Sequence, residues 1–572
     1  MAFKNTSAIV EQSTRNNATP SPEPGRPPLL KSRTEASVAL STTSTVVPKP
    51  IYDIEHMPVY DDPREWSSLR KNATLVLIAF ASMVAALAAN IQNPAVAEME
   101  ADLPATSSQF SLSISLYILV QGLFPLVWSA ISEVKGRKLV YVFSLSLFTI
   151  GSIVVAVGKH IEPVIGFRCL QAAGSSAVTS IGSATLADIF DPSERGRKMG
   201  VYYVAALIGP SLGPIFGGVL TTVFGWRAIF WFLTIIAGAC WISFVVFYRD
   251  TFRCERSLTY QNLLRKRLRS ATPLSVSRAN TKASKSGGIN CLKSNTSDIT
   301  IDIEKSLEKE VQKDGQEDIK SELPTITLTL RDVNPLKPLL RVLRRKNNVC
   351  ILLSSGLLYS FAFLLPYATS RRLANSYGFN PLKIGLVTIT VGAGSVFGSV
   401  LGGWWSDRAL RRLKEANGGV SYPEMRLRST IAGLIVLPPF VLGFGWLCHL
   451  VHHLAPLCVF LFFGGFFNIW IYASTLAYVV DANAGRSSTA VAANSAFRGV
   501  FAFMSIEAAV PLQDNLGDGG MYSVFAGLLL INSLIILLLW WKGAQWREEA
   551  EAYEKERALR SDTVASINVG KP

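Results

Sequence analysis

Long apolar segments alternate with short polar segments along most of the 572-residue chain. Each apolar segment approaches or exceeds the roughly 20 residues that an α-helix needs to cross a bilayer. A soluble protein of this length would instead fold into several domains with polar surfaces. The pattern therefore predicts an all-α membrane protein with twelve transmembrane helices. The predicted spans cover about 73–97, 109–131, 139–158, 163–189, 200–218, 228–248, 348–368, 383–404, 429–449, 454–480, 489–511 and 521–541.

Polar regions separate these apolar segments into two groups of six. Residues 1–72 are rich in Ser, Thr and Pro and have no hydrophobic periodicity, which predicts a disordered tail. Residues 249–347 are also polar and are predicted to form a mostly disordered linker. The chain thus divides into an N-terminal tail 1–72, a first six-helix half 73–248, a linker 249–347, a second six-helix half 348–541 and a C-terminal tail 542–572.

The formal net charge is +15, which by itself would suit a nucleic-acid-binding protein. The basic residues, however, collect in alternate polar loops, including 133–138, 191–198 and 405–428, and the sequence has no recognisable nucleic-acid-binding module. Cytoplasmic loops of membrane proteins carry an excess of Lys and Arg. We therefore expect these loops, the linker and both termini on the cytoplasmic side, and no nucleic acid partner.

The fifth apolar segment, 200–218, is rich in glycine and contains two prolines. In a soluble helix each Gly costs about 1 kcal/mol relative to Ala, and an interior Pro costs about 3 kcal/mol. In a bilayer, small residues instead let neighbouring helix backbones approach closely. Gly209, Gly213 and Gly217 recur every four residues and so share one helix face. This pattern predicts a membrane helix built for close backbone contact.

The two halves repeat features at matching helix positions. Residues 129–133 after the second span and 403–408 after the eighth each place an acid at the helix end, with a basic residue shortly afterwards. Asp188 and Asp481 likewise end the fourth and tenth spans. Two such coincidences indicate an internal duplication. Duplicated six-helix halves are typical of transporters that bind their substrate between the halves near mid-membrane.

The fifth segment carries the spaced pattern Gly-x8-Gly-x3-Gly-Pro-x2-Gly-Gly, formed by Gly200, Gly209, Gly213, Pro214, Gly217 and Gly218. This pattern matches in full the antiporter motif of the major facilitator superfamily. The chain resembles that superfamily, in its twelve-span drug:proton antiporter branch and the fungal group of quinidine-resistance and dityrosine transporters. The resemblance covers both membrane halves but not the tails or the linker. In a carrier of this kind we expect the glycine face of the fifth span to seal and slide between the halves.

The turn after the second span keeps part of the family motif Gly-x-x-x-Asp-Arg-x-Gly-Arg-Lys. Its last three residues are present, Glu133 keeps the acid in kind, and Val134 replaces the motif's first Arg. By the resemblance, Glu133 and Asp407 cap the positive N-terminus of a helix in the opposite half when the cytoplasmic gate is closed, held by Arg137 and Arg408. The alternative is an exposed loop salt bridge that contributes little stability. The candidate gate residues are Glu133, Gly136, Arg137, Lys138, Asp407 and Arg408.

Arg168 lies inside the fourth apolar segment, where a charge must face protein or water. It begins the partly kept family motif Arg-x-x-Gln-Gly-x-Gly, in which Ala172 replaces the first Gly, and the resemblance implies that it organises the proton site. The alternative is a hydrogen-bonding strut between helices. The first span has no acid in its core, which gives some weight to anionic or neutral substrates. The candidates for proton coupling and its charge network are Arg168, Asp188, Asp481, Arg498 and Glu507.

Polar side chains inside several apolar segments are candidates for a substrate cavity. A polar group satisfied between two helices is an equally common explanation for any one of them. Aromatic residues such as Phe361, Tyr367 and Trp470 could give the cavity an apolar wall, although lipid-facing packing is the commoner role of any single one. The predicted cavity residues are Asn90, Gln92, Gln121, Gln171, Asn468, Tyr472 and Asn494.

The resemblance implies a secondary active transporter of the plasma membrane that exchanges entering protons for a departing small organic solute by alternating access. Drugs, polyamines, amino-acid derivatives and organic acids all remain open as solutes. Besides solute and protons, the expected partner is the lipid bilayer, and the carrier is expected to be monomeric. The alternatives are a uniporter or proton symporter for nutrient uptake, and a membrane sensor that uses the linker. An enzyme is not expected, since the sequence has no nucleotide loop, metal cluster or nucleophile–base set, and neither a cofactor nor a metal is predicted.

Overall fold

The computed structural model describes residues 59, 61–257, 260–261, 263, 329, 336–450, 453–483 and 486–569. For residues 192, 193, 255, 336, 337, 558, 559 and 561–569 the backbone alone is described. Throughout this part of the chain the regular secondary structure is helical, which confirms the all-α fold. The N-terminal tail and the linker lie for the most part outside the described residues, so their disorder stays a prediction.

The described helices of the first half follow one another with short connections. Their bounds are α1 Ser68–Asn90, α2 Val96–Asp102, α3 Ser107–Leu123, α4 Pro125–Lys135, α5 Arg137–Val157, α6 Ile161–Ile189, α7 Pro192–Phe224 and α8 Arg227–Val246. A short 3-10 helix, Asn93–Ala95, joins α1 to α2, and α3 runs directly into α4, so each pair makes one span. Pro94 and Pro125 lie in the first turns of the segments that follow, where a missing N–H costs no hydrogen bond.

The second half begins after the linker. Its described helices are α9 Leu336–Leu343, α10 Lys346–Tyr377, α11 Pro381–Ala416, α12 Ile431–Leu450, α13 Leu454–Asp481 and α14 Ser487–Val569. A 3-10 helix, Pro423–Thr430, leads into α12. α14 is broken at Gly517, where φ is 69° and ψ is 177°. Glycine adopts such a positive φ readily because it has no side chain, and the break divides α14 into two spans.

Within the described residues, ten helical stretches are long and apolar enough to cross a membrane, and the break at Gly517 divides the last of them into two. α6 is not among the ten, because Ser and Thr are frequent along it and it contains Arg168. Its 29 residues nevertheless pack inside the first half. Together these helices give twelve spans in two groups of six, as expected.

The two halves repeat the same packing. In the first half α1 packs along α7, and in the second half the equivalent spans α10 and α14 pack together. Likewise α3 packs along α6 in the first half, and α11 packs along α13 in the second. Between the halves, α7 packs on α11 and α3 packs on α14. These two contacts are equivalent under the duplication, since each joins a second span of one half to a fifth span of the other. We call them the α7–α11 seam and the α3–α14 seam.

Folded structure extends beyond the predicted spans at both ends of the chain. α1 begins at Ser68, and just before it Asp62 accepts hydrogen bonds from Arg64 N at 2.9 Å and from the Arg256 side chain. α14 continues to Val569, well past the apolar sequence that ends near Trp541. The regions 1–72 and 542–572, expected as tails, therefore have helical segments next to the membrane halves.

Candidate functional site

Charge distinguishes the two ends of the helix bundle. The end that we call the basic end carries the turn 133–138, the start of α7, the end of α11 and the segment that follows α11 as far as residue 428. The opposite end, called the far end, carries residues 98–102 and the connection between α10 and α11. Described ion pairs at both ends, such as the pair of Arg137 with Asp188 and that of Arg371 with Asp514, join residues of the same half. Hydrogen bonds that cross between the halves lie nearer the far end.

The glycine stripe of α7 packs within its own half. A side-chain carbon on Gly209 would lie 2.9 Å from Leu87 N, one on Gly213 would lie 3.1 Å from Leu87 O, and one on Gly217 would overlap Ile91 O. These three glycines therefore let α7 approach the backbone of α1. The expectation that this face lies between the halves is not met, because α1 and α7 belong to the same half. Gly200, at the basic end, has open space around it.

A different face of α7 meets the second half. A side-chain carbon on Gly218 would lie 2.6 Å from Pro381 O of α11. One turn earlier, Pro214 O fills the space that a side chain on Gly385 would need. Two residues of the antiporter motif, Pro214 and Gly218, thus form the α7–α11 seam. The seam leaves no room for a methyl group on Gly218 or on Gly385.

The α3–α14 seam is equally narrow. A side-chain carbon on Gly122 would lie 2.7 Å from the Cα atom of Gly499. Closer to the far end, Ser115 Oγ donates a hydrogen bond to Glu507 Oε1 at 2.5 Å. Glu507 is half-buried. This candidate acid therefore lies in a contact between the halves, rather than at the membrane surface.

Arg168 is enclosed within the first half, with 0% of its surface exposed. Its guanidinium lies 4.1 Å from the centroid of the Tyr117 ring, and Nη1 donates to Gln171 Oε1 at 2.6 Å. Gln171 Nε2 donates in turn to Ser152 Oγ at 2.7 Å. In the described part of the chain, Nε and Nη2 of Arg168 have no hydrogen-bond partner. Gln171, a predicted cavity residue, is thus buried and holds the guanidinium in place.

Arg498 has a similar aromatic environment in the second half. Its guanidinium lies 3.7 Å from the centroid of the Tyr359 ring, and Nη1 donates to the Tyr472 hydroxyl at 2.7 Å. A side-chain carbon on Gly499, next to Arg498, would lie 3.1 Å from the backbone oxygen of Ile118, next to Tyr117. The two arginines therefore approach the boundary between the halves from opposite sides, each against a tyrosine ring. We call Tyr117, Arg168, Tyr359 and Arg498 the arginine–tyrosine cluster.

Gln121, Asn468 and Asn494, also predicted cavity residues, each lie one helical turn from a tyrosine or arginine just described. Asn468 and Asn494 are buried, and the amide oxygen of each has no hydrogen-bond partner among the described residues. Asn90 and Gln92 lie elsewhere, at the junction of α1 with α2, where α7 comes closest. The structure thus divides the predicted cavity residues between the cluster and this junction.

At the basic end, Arg137 joins the turn after the second span to the end of the fourth. Its Nε donates to Asp188 Oδ2 at 3.3 Å, and Glu133 lies within its electrostatic reach. Nη1 also donates to Ser132 Oγ at 2.5 Å. Two candidate acids, one from the gate and one from the charge network, are thereby brought to a single guanidinium.

The backbone conformation of the turn explains why a glycine precedes Arg137. Gly136 has a φ of 86°, and the following N–H donates to Asp250 Oδ1 at 3.0 Å. A side chain on Gly136 would overlap the Asp250 carboxylate. Lys138 then donates from Nζ to Val245 O at 3.0 Å. These contacts join the turn to the end of α8, within the same half.

Arg426, to which the sequence analysis assigned no role, has the equivalent position in the second half. Its Nε donates to Asp481 Oδ2 at 2.5 Å, and its Nη1 lies 3.5 Å from Asp407 Oδ1. Arg408, the expected partner of Asp407, instead lies over the Trp404 ring, 5.3 Å from its centroid. The available signal was that Arg426 follows the short motif Pro-Glu-Met in a basic loop.

Tyr117, Tyr359 and Ser115 were also missed, because a tyrosine or serine in an apolar helix is usually a packing residue. For Tyr117 a signal existed, since it lies one turn before Gln121 and shares its helix face. The position of Tyr359 beside Arg498 depends on how α10 packs on α14, which residue spacing along one helix does not reveal.

A sequence profile described as the Major Facilitator Superfamily matches residues 78–506 of this chain. The chain belongs to the major facilitator superfamily. Among curated relatives of this major facilitator, the MFS antiporter QDR3 of Candida albicans is 29% identical, over 87% of this chain and 81% of its own length. Citrate exporter 1 of Aspergillus niger is 26% identical, over 86% of this chain and 89% of its own length.

A solved structure supports the fold. It is the crystal structure of a bacterial homologue of the human lysosomal transporter Spinster, in an inward-facing and unoccupied conformation. The alignment has a TM-score of 0.54 and 11% identity, and covers 86% of this chain and 99% of that one. The resemblance to the drug-antiporter group is confirmed by the relatives. The protein is thus a multi-pass membrane protein and a secondary transporter of small solutes, not an enzyme.

Proposed function

We propose that this major facilitator exports a small organic solute in exchange for protons, by alternating access between the two ends of the membrane. The observation that carries the proposal is the contact between the halves toward the far end. There the halves are joined at both seams, and Leu382 N also donates to Thr222 Oγ1 at 3.2 Å. In an alternating-access carrier that is closed at this end, the solute would enter from the basic end until the seams separate.

The basic end is the proposed cytoplasmic end, with both termini on that side, and the carrier is proposed to be a monomer of the plasma membrane. The excess of Lys and Arg supports this orientation. The names of two relatives, an antiporter and a citrate exporter, support export rather than uptake. Glu133 and Asp407 stay the proposed acids of the cytoplasmic gate, with Arg137 and Arg426 as their neighbours.

Glu507 is the proposed proton carrier. Its half-buried carboxylate accepts a hydrogen bond from Ser115 across the α3–α14 seam. Protonation removes the negative charge from this contact, which exists only while the seam is closed. It therefore shifts the equilibrium between the closed and the separated seam. Proton uptake from the far end and separation of the seam would therefore be coupled. The resemblance implies that Arg168 organises the proton site. Among the described residues, however, Arg168 has no ion pair with a carboxylate.

The test uses the full-length protein in vesicles with an imposed pH gradient. The panel contains one labelled drug, one polyamine, one amino-acid derivative and one organic acid. We expect the gradient to accelerate the flux of at least one solute, with protons moving in the opposite direction. Glu507→Gln should still exchange this solute, but without a response to the gradient. Glu162→Gln changes an exposed carboxylate at the far end and should behave as the unchanged protein does.

Two outcomes would contradict the proposal in different ways. A solute that moves at the same rate with and without the gradient would exclude antiport and favour a uniporter. A Glu507→Gln variant that still couples flux to the gradient would keep antiport and assign the proton to another carboxyl group.

A further inference from the structure

We propose that the arginine–tyrosine cluster is the substrate site, and that its substrate is a small organic anion with two or more carboxylates. The inference rests on the proposed function and deepens it, because it names the class of solute that the exporter carries. Its starting point is a pair of guanidiniums that the described residues do not neutralise.

Arg168 is the first of the two. An unpaired buried charge costs several kcal/mol, so a buried guanidinium normally pairs with a carboxylate. Among the described residues Arg168 makes no such pair, and its charge is faced by the rings of Tyr117 and Phe230. Its unpartnered Nε and Nη2 form one edge of the guanidinium, the edge that binds a carboxylate through two parallel hydrogen bonds. A ligand carboxylate would satisfy both atoms.

Arg498 provides the second positive charge. It donates to the Tyr472 hydroxyl, while its Nε has no hydrogen-bond partner and no ion pair in the part of the chain that the structure describes. Glu507 lies on the same helix, but its carboxylate faces Ser115 about two and a half turns away. The cluster therefore has two cations without a bound acid. Such a site attracts anions and repels a cationic drug or polyamine.

The two charges belong to different halves. Arg168 lies against Tyr117 of the first half and Arg498 against Tyr359 of the second, and the two halves meet where Gly499, next to Arg498, packs on Ile118, next to Tyr117. A molecule with two carboxylates can bind one arginine in each half, whereas a single carboxylate engages one of them. Such a ligand would bind most tightly when the halves bring the arginines together, which links occupancy to the position of the halves.

Isothermal titration calorimetry on the purified full-length protein in detergent tests the site without any proton gradient. The probes are citrate, succinate, acetate and spermidine. We expect citrate and succinate to bind, acetate to bind at least about tenfold more weakly, and spermidine not to bind. Loss of a hydrogen bond to a charged group costs about 1.5–3 kcal/mol, so Arg498→Gln or Arg168→Gln should weaken succinate binding roughly 10- to 100-fold.

Matched variants separate the site from general charge and folding effects. Arg498→Lys keeps the charge and should lose less affinity than Arg498→Gln. Arg412→Gln removes an exposed charge near the end of α11 and should leave succinate affinity unchanged. Thermal unfolding without ligand checks that each variant is folded, and if Arg168→Gln is not, the Arg498 variants decide. Unchanged succinate affinity in folded Arg498→Gln, or binding of spermidine but of no carboxylate, would overturn the assignment.

This experiment also distinguishes the site from the proposed function. If dicarboxylates bind through both arginines but a pH gradient does not drive their movement, the anion site stands and proton coupling fails. If a gradient drives a cationic solute while carboxylates do not bind, coupling stands and the anion site fails.

Discussion

Gly217 and Gly218 are neighbours in the sequence that contact different helices. A side chain on Gly217 would overlap the backbone of Ile91 in the same half, whereas one on Gly218 would press on Pro381 in the other half. Successive residues of an α-helix point in directions about 100° apart, so adjacent glycines meet different neighbours. A substitution by alanine at Gly217 therefore tests the stability of the first half, whereas the same substitution at Gly218 tests closure between the halves.

Alanine at each position is expected to have a different effect. Overpacking a close contact typically costs about 1–3 kcal/mol, so Gly217→Ala should lower the melting temperature. Gly218→Ala should instead favour the conformation in which the α7–α11 seam has separated. Labelling of Gln121→Cys, on a background without the native cysteines, by an impermeant thiol reagent from the far end measures that shift.

Gly200→Ala is the control for both measurements, since nothing lies within 4 Å of the added carbon. Equal losses of thermal stability in Gly217→Ala and Gly218→Ala, with no change in labelling, would make the α7–α11 seam a static packing contact.

At the scale of single elements, the last part of α14 is a clamp across the basic end of the second half. Glu554 accepts hydrogen bonds from Arg345 Nε at 3.0 Å and from Arg486 Nη1 at 3.2 Å. Arg547 Nε donates to the buried Glu424 at 3.1 Å. The part of α14 beyond the apolar spans thus contacts Arg345 at the end of the linker. It also contacts Glu424, which precedes α12, and Arg486, which precedes α14.

This clamp should make stability depend on pH. Burial alone would raise the pKa of Glu554, but hydrogen bonds from Arg345 and Arg486 outweigh it and lower the pKa to about 2, from an ordinary value of 4.5. Because the pKa of Glu554 is lower in the folded state, its ionised carboxylate stabilises the folded protein at pH values above 4.5. This stabilisation is lost as the pH falls toward 2. Because the carboxylate is 38% exposed, we expect Glu554→Gln to cost only about 1 kcal/mol at pH 7.

Thermal unfolding from pH 7 to the acid limit of the folded protein measures this contribution. The difference between Glu554→Gln and the unchanged protein should shrink below about pH 4.5. Glu556→Gln is the control, since its carboxylate pairs with Arg560 on the exposed side of the same helix. A difference that stays constant with pH would show that Glu554 acts through packing rather than charge.

For the whole molecule, the number and grouping of the spans could be predicted because hydropathy is read along one chain and each span is defined by its own residues. The duplication was visible for the same reason, in Glu133 and Asp407 at equivalent positions of the second and eighth spans. Partners could not be predicted in this way, because spacing along a helix gives a face but not the helix it meets. The glycine stripe therefore faced α1 unexpectedly, and Arg426 lay where Arg408 was expected.

The two related seams predict that the whole carrier stops when either is held shut. Thr222→Cys with Leu382→Cys, on a background without native cysteines, places two thiols where Leu382 N now lies 3.2 Å from Thr222 Oγ1. A disulfide needs Cα atoms about 4.4–6.8 Å apart, and the helices pack closely here, since a side-chain carbon on Gly218 would lie 3.1 Å from the Leu382 Cα atom. Oxidation should lock the far end and abolish solute exchange, while ligand binding from the basic end remains.

Reduction should restore exchange, and each single cysteine variant should transport equally well under oxidising and reducing conditions. The comparison is made by solute flux in vesicles and by calorimetric binding on the same oxidised sample. If the cross-linked protein kept exchanging solute, the far end would not have to open in each cycle. Alternating access through the α7–α11 seam would then be excluded, because both halves must separate there to release the solute.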